Sequence, residues 1–109
     1  MSADIVLVRD FTDCPAGRMR AHGPGSGEEF REDFLRPALV LQDEVTVDLN
    51  GADSLPPAFL DEAFGPLAAE LGQAEFYRRV RVILDDDETA VRKLSETIAL
   101  RAENGFPAN

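Results

Sequence analysis

Arg18, Arg20 and His22 lead into the stretch Gly23-Pro24-Gly25-Ser26-Gly27-Glu28-Glu29, and cations beside glycines are the raw material of an anion-binding loop. Glycines let backbone amides crowd around a phosphate, and guanidinium groups match its charge. The spacing argues for something else. A P-loop needs GxxxxGK[ST], a dinucleotide loop needs GxGxxG directly after a strand, and this stretch contains neither. Glu28 and Glu29 would repel an incoming anion, whereas in a first helical turn each would contribute about 0.3–1 kcal/mol against the positive end of the helix dipole. Ser26 followed by Glu29 matches the capping box, in which each side chain satisfies a backbone donor at the helix start. The stretch therefore reads as a helix start. The alternative is a small anionic-ligand or nucleotide-binding domain or enzyme that uses the glycine-rich loop with Arg18, Arg20 and His22.

The other chemically capable residues are isolated. His22 has no second histidine or cysteine pair at a metal-ligand spacing, so it reads as a surface residue, and no metal or cofactor is expected. Cys14, the only cysteine, cannot form an intramolecular disulfide. Asp85, Asp86, Asp87 and Glu88 lack the alternating ligands and central glycine of a calcium loop, and read as an acidic cap for the last helix, at Asp87. Asp48 lies at the carboxyl end of a predicted interior strand, where α/β proteins gather functional groups; a hydrogen bond to a loop donor explains it equally well. Arg78, Arg79 and Arg81 cluster around Tyr77, as solvated arginines at a strand edge or as a patch for an acidic partner.

These residues must be positioned by a chain of 109 residues, enough for one domain spanning 1–109 with one core. The formal charge of −10, from 21 acidic against 11 basic residues, argues against nucleic acid, whose binding needs a basic footprint. No apolar run approaches the roughly 20 residues of a membrane span, and "MSADIVLVRD" does not resemble a secretory leader. The expected compartment is the cytoplasm.

Hydrophobic periodicity supplies the elements. Asp4–Asp10 reads as a strand, and a brief strand is expected around Arg18–Ala21 inside a glycine- and proline-rich loop. Phe30, Phe34, Leu35, Ala38 and Leu39 share one helical face, with Glu28, Glu29, Arg31, Glu32 and Asp33 opposite, and Pro37 predicts a break or kink before a last turn toward Leu41. Val45–Leu49 alternates as a central strand. Ala58–Leu71 carries an apolar stripe closed by Gly72, Val80–Leu84 is a further strand, and a final helix carries Val91, Leu94, Ile98 and Ala102 to a stop near Asn104 and Gly105. Together they predict an α/β fold: a mixed, mainly parallel sheet of about four strands flanked by about three helices.

The segments "GRMRAHGPGSGEEFREDFLRPAL", "VTVDLNGADS" and "AFLDEAFGPL", in that order over roughly residues 17–72, resemble the STAS-like family of unknown function, related to STAS and anti-sigma-factor-antagonist domains. The resemblance implies a non-enzymatic bacterial regulatory module that docks onto a protein partner, notably a serine-kinase-like ATPase of the anti-sigma type. In antagonist domains a serine at the start of the helix after the central strand is phosphorylated, and the added charge releases the partner. The family's Gly-Ser-Ser is replaced here by Pro56, Pro57 and Ala58, so the hydroxyl is lost while Pro57 still suits the first helical position. Ser54 is a displaced candidate. The expected partner surface comprises Ser54, Pro56, Pro57 and an exposed Asp61 and Glu62, with self-assembly into a homodimer as a further possibility through an edge strand or the arginine cluster.

Overall fold

Val45, Val47 and Leu49 alternate with Thr46 and Asp48, and that period of two places the first set in the core and leaves the second half-buried. In the computed structural model, which describes residues 2–85 and 87–104, this segment is strand β2 (Glu44–Asp48), the centre of a sheet ordered β1-β2-β3. Strands β1 (Ser2–Val6) and β3 (Val80–Ile83) flank it, both parallel to it. Ile5 pairs with Val47 and Val47 with Val82, so the helices cover one face of the sheet. Asp4, Thr46 and Arg81 line up on the other face.

The sheet has three strands among the described residues, all parallel, where a mixed, mainly parallel sheet of about four was expected, and five helices, with the continuous stretch 27–41 counted as one, stand where about three were expected. The segment expected as a strand at Arg18–Ala21 instead contributes a 3-10 turn, Arg20–His22. Gly17 and Gly23 at its two sides take φ of +79° and +133°, and Glu28 Oε1 accepts the Arg20 amide that a neighbouring strand would have needed. β1 also stops early, and Leu7–Asp10 winds into one helical turn, α1. Val6 pairs with Asp48 at the end of β2; beyond that point a strand would have no partner, and the helical turn satisfies the backbone locally.

The chain from Gly27 to Leu41 stays helical throughout: α2 (Gly27–Phe30), a π segment (Arg31–Leu35) and α3 (Arg36–Leu41). The break expected at Pro37 is absent. Proline cannot donate to the carbonyl four residues back and its ring crowds that carbonyl, and the widened π turn just upstream accommodates both effects. Arg31, expected on the polar face, is buried.

Between β2 and β3 run α4 (Pro57–Leu71) and α5 (Gln73–Arg79). Gly72, with φ of +83°, ends α4 and starts α5. The seven-residue α5 lies outside the sequence expectation, because it buries only Phe76 and so shows no stripe. Arg79 at its end donates to the carbonyls of Leu39, Gln42 and Asp43, closing the carboxyl end of α3. The last helix, α6 (Glu88–Asn104), is capped by Asp87, whose Oδ1 accepts the Ala90 amide at 3.0 Å. Asp86 and Gly105 lie outside the described residues. α4 is the hub, packed most extensively on α6 and also on α2. Phe30 links the aromatic core, with Phe59 and Phe64 rings 6.0 and 6.2 Å away. No helix among the described residues is long and apolar enough to cross a membrane.

Candidate functional site

In an open parallel sheet, the loops beyond the carboxyl ends of the strands converge on one edge and are free to vary. Here they form a shallow polar pocket of about 230 Å³ between Asn50–Leu55 on one side and Leu84 and Asp87 on the other. Asn50 ties its two walls together: its Oδ1 accepts the Asp85 amide at 2.9 Å and its Nδ2 donates to Asp85 Oδ2 at 3.1 Å. Asp48 Oδ1 accepts the Asn50 amide at 2.9 Å, so this strand-end aspartate shapes the loop. Asp13, Asp53 and Asp85 are exposed at this edge, giving it a negative rim.

Ser54 is exposed on the rim, and no side-chain hydrogen bond reaches it among the described residues. Pro56 occupies the cap position of α4 with φ −60° and ψ 139°, and Pro57 is the first helical residue. Two consecutive prolines remove amides from the helix start, leaving it poor in donors for an anion. The exposed Ser54 hydroxyl stands next in the chain to Asp53, whose carboxylate accepts the Cys14 thiol.

Asp61 and Glu62 are not exposed as expected. Asp61 pairs with Arg18 and, at 3.3 Å, with Arg101, leaving its side chain 21% exposed. Glu62 is 17% exposed and pairs with Arg31 at 2.9 Å. The cause lies further along α4. Pro66, inside the helix, has no N–H to offer the Glu62 carbonyl four residues back, and Arg31 Nη1 donates to that carbonyl instead. One buried guanidinium thus serves both the main-chain and the side-chain oxygens of Glu62.

The glycine-rich loop is held in the same self-contained way. Ser26 Oγ accepts the Glu29 amide at 3.0 Å, as the capping pattern requires. Glu29 reaches back one residue further than the pattern implies, to the Gly25 amide at 3.1 Å. The Gly27 and Glu28 amides donate to the carbonyls of Gly17 and Arg18. Arg20 forms a bidentate pair with Asp33 at 3.0 and 3.1 Å, and Arg18 is taken by Asp61. His22 is exposed in the 3-10 turn. The Arg18 and Arg20 guanidiniums and the Gly25, Gly27 and Glu28 amides are thus occupied by the chain's own oxygens. Gly27 serves packing: a Cβ there would lie 2.7 Å from the Phe59 carbonyl oxygen and 2.8 Å from the Ala63 nitrogen.

One cluster shows no sequence signal. Cys14 Sγ donates to Asp53 Oδ2 at 3.1 Å across 39 residues, and the Asp53 amide donates to the Asp13 carbonyl at 2.8 Å. Hydrogen bonding to Asp53, then to Asp13, pushes the thiol up to about 11. Asp13, Cys14 and Asp53 could offer three metal ligands, their donor atoms lying within 4.8 Å of one another. All three are exposed, and without a metal the thiol proton is held by the Asp53 carboxylate. The pairing pins the chain before the glycine loop to the β2–α4 loop, which no local pattern could reveal.

The sequence-level candidates thus divide in space. Ser54, Pro56 and Pro57 stand together at the carboxyl edge, while Asp61 and Glu62 turn sideways into contacts with Arg18, Arg31 and Arg101. Comparison with curated proteins and with solved structures yields no match. A family model described as a STAS-like domain of unknown function matches residues 26–90, from the Ser26 cap through β2, the carboxyl-edge loop, α4 and β3 to the first turn of α6. Since that span is well over half of the chain, the protein belongs to this STAS-like family.

Proposed function

We propose that this STAS-like domain is a non-enzymatic regulatory module that docks onto a protein partner through its carboxyl-edge loops. The partner class is a serine-kinase-like ATPase of the anti-sigma type. The observation that carries the reading is the exposed Gly51–Ser54 loop, rimmed by Asp13, Asp53 and Asp85 and followed by Pro56 and Pro57 at the start of α4. A negative rim selects a basic partner surface and speeds encounter. With Pro57 at the helix start, docking is not released by phosphorylation there. Asp61 and Glu62 contribute by holding α4 in place.

The test uses the full chain in its native cells with a photo-crosslinking residue at Ser54, and a control with the same residue at the exposed Glu96 of α6. The Ser54 probe should capture a protein that the Glu96 probe does not, and Asp53→Lys should abolish the capture. Identical captures from both positions, or indifference to Asp53→Lys, would exclude this docking face. Intact-mass measurement of the recovered chain should show no phosphate; a phosphate mapped to Ser54 would mean that the switch has moved rather than been lost.

A further inference from the structure

β3 is an edge strand: it pairs with β2 on one side only among the described residues. In a parallel ladder, successive residues turn their N–H and C=O to opposite sides. The Ile83 carbonyl accepts the Leu49 amide at 2.9 Å and so faces inward, which turns the backbone groups of Val82 outward. Beside this edge runs a groove of about 260 Å³, its walls including Tyr77, Val82, Leu84, Val91, Leu94 and Ile98. Val91 of α6 and Tyr77 of α5, both lining it, stay 41% and 48% exposed.

The charges around the groove indicate what fits. Of the 11 basic residues, Arg9, Arg18, Arg20, Arg31, Arg36, Arg78, Arg79 and Arg101 are all in ion pairs. Among the described residues the remaining three, Arg81, Arg92 and Lys93, have no acidic partner within ion-pair distance; Arg81 lines the groove, and Arg92 lies one helical turn before the groove-lining Ser95. In a chain of net charge −10, an unpaired cation thus lines the groove beside the edge that is unpaired among the described residues. A second copy of this chain would bring another edge carrying Arg81 and a chain of net charge −10 against the same groove, and the oligomeric state tests that occupant.

We propose that the β3–α6 groove receives an extended acidic–apolar segment of a partner protein as a fourth strand. Its apolar residues would lie over Val91, Leu94 and Ile98, and its carboxylates would meet Arg81 and Arg92. Main-chain hydrogen bonds to β3 supply affinity, and the alternating side chains supply selectivity. This surface is separate from the carboxyl-edge loops and stands whether or not they dock.

The probe is a short capped peptide of alternating valine and glutamate, added to the isotopically labelled full chain, with a valine–lysine peptide as control. The glutamate peptide should shift the resonances of Val82, Val91 and Leu94 and slow exchange of the Val82 amide. Arg81→Glu, checked for an unchanged melting temperature, should weaken binding at least about tenfold and remove its salt dependence. Equal binding of the two peptides, no shift with either, shifts confined to another surface, or concentration-dependent dimerisation through β3 would each overturn the assignment.

Discussion

Arg31 and Pro66 are separated by 35 positions, yet the structure makes one the remedy for the other: the guanidinium occupies the Glu62 carbonyl that the proline cannot serve. Replacing Arg31 with alanine would orphan that carbonyl, at about 1–3 kcal/mol, and leave the Glu62 carboxylate without its cation. Because the Glu62 side chain keeps 17% exposure, the second cost is smaller than that of a fully buried ion, about 1 kcal/mol, giving a total near 2–4 kcal/mol. In a Pro66→Ala background, the new amide at position 66 can donate to the Glu62 carbonyl within the helix, and Arg31→Ala then removes only the ion pairs with Glu62 and Glu32. The double-mutant cycle should therefore show a coupling of about 1–3 kcal/mol, read from urea unfolding of the four proteins with m unchanged. Pro66→Ala alone should raise stability. A coupling within the roughly 0.3–0.5 kcal/mol of ordinary additivity would show that Arg31 is buried for some other reason.

Gly27→Ala should destabilise the fold by about 1–3 kcal/mol, a melting-temperature drop of roughly 4–15 °C, because the new Cβ meets the α4 backbone at 2.7–2.8 Å. Gly65→Ala, whose Cβ meets only the movable side chain of Arg101 at 3.0 Å, should cost less, and equal melting points for the two variants would contradict this account of the α2–α4 contact. Cys14 should be alkylated slowly: with its thiol near 11 instead of 9.0, the thiolate fraction at pH 9 falls from about half to about one percent, so the rate should drop roughly fiftyfold. Asp53→Asn should recover most of that rate, and iodoacetamide kinetics read by mass will show whether it does. Hydrogen bonds from Arg31 and from Arg36 hold the carboxyls of Glu32 and Glu70 respectively below the ordinary value of 4.5. Lowered folded-state values mean stability that is present above pH 4.5 and lost as the pH falls through them. The urea midpoint of Arg36→Ala should accordingly trail the parent at pH 7 and converge with it in acid, and a gap independent of pH would contradict the ion-pair explanation.

The amphipathic stripes of α4 and α6, the Ser26 and Asp87 caps, the Gly72 stop and the alternation of β2 were all legible in the amino-acid order. Each is governed by groups within about four residues of one another, the range over which helix and strand periodicity act. The resemblance to STAS-like proteins was legible for the same reason, since it rests on the ordered segments around these elements. α5 escaped because one buried phenylalanine makes no period, and the helix through Pro37 because a local rule was relieved by a π turn in the preceding residues.

What only the tertiary structure decided is where the lone polar residues go. Asp61 and Glu62 fall on the flank of the α4 stripe, and periodicity could not say that Arg18, Arg31 and Arg101 would converge on them. Nor could it say that Arg79 would close α3, that Cys14 would find Asp53, or that β1 and β3 would each be left with one neighbour. Local order determines which faces must be hidden. Once those faces are packed, the positions of the remaining donors and acceptors follow from contacts between residues far apart in the chain, and buried polar groups take whichever partners the packing brings within reach.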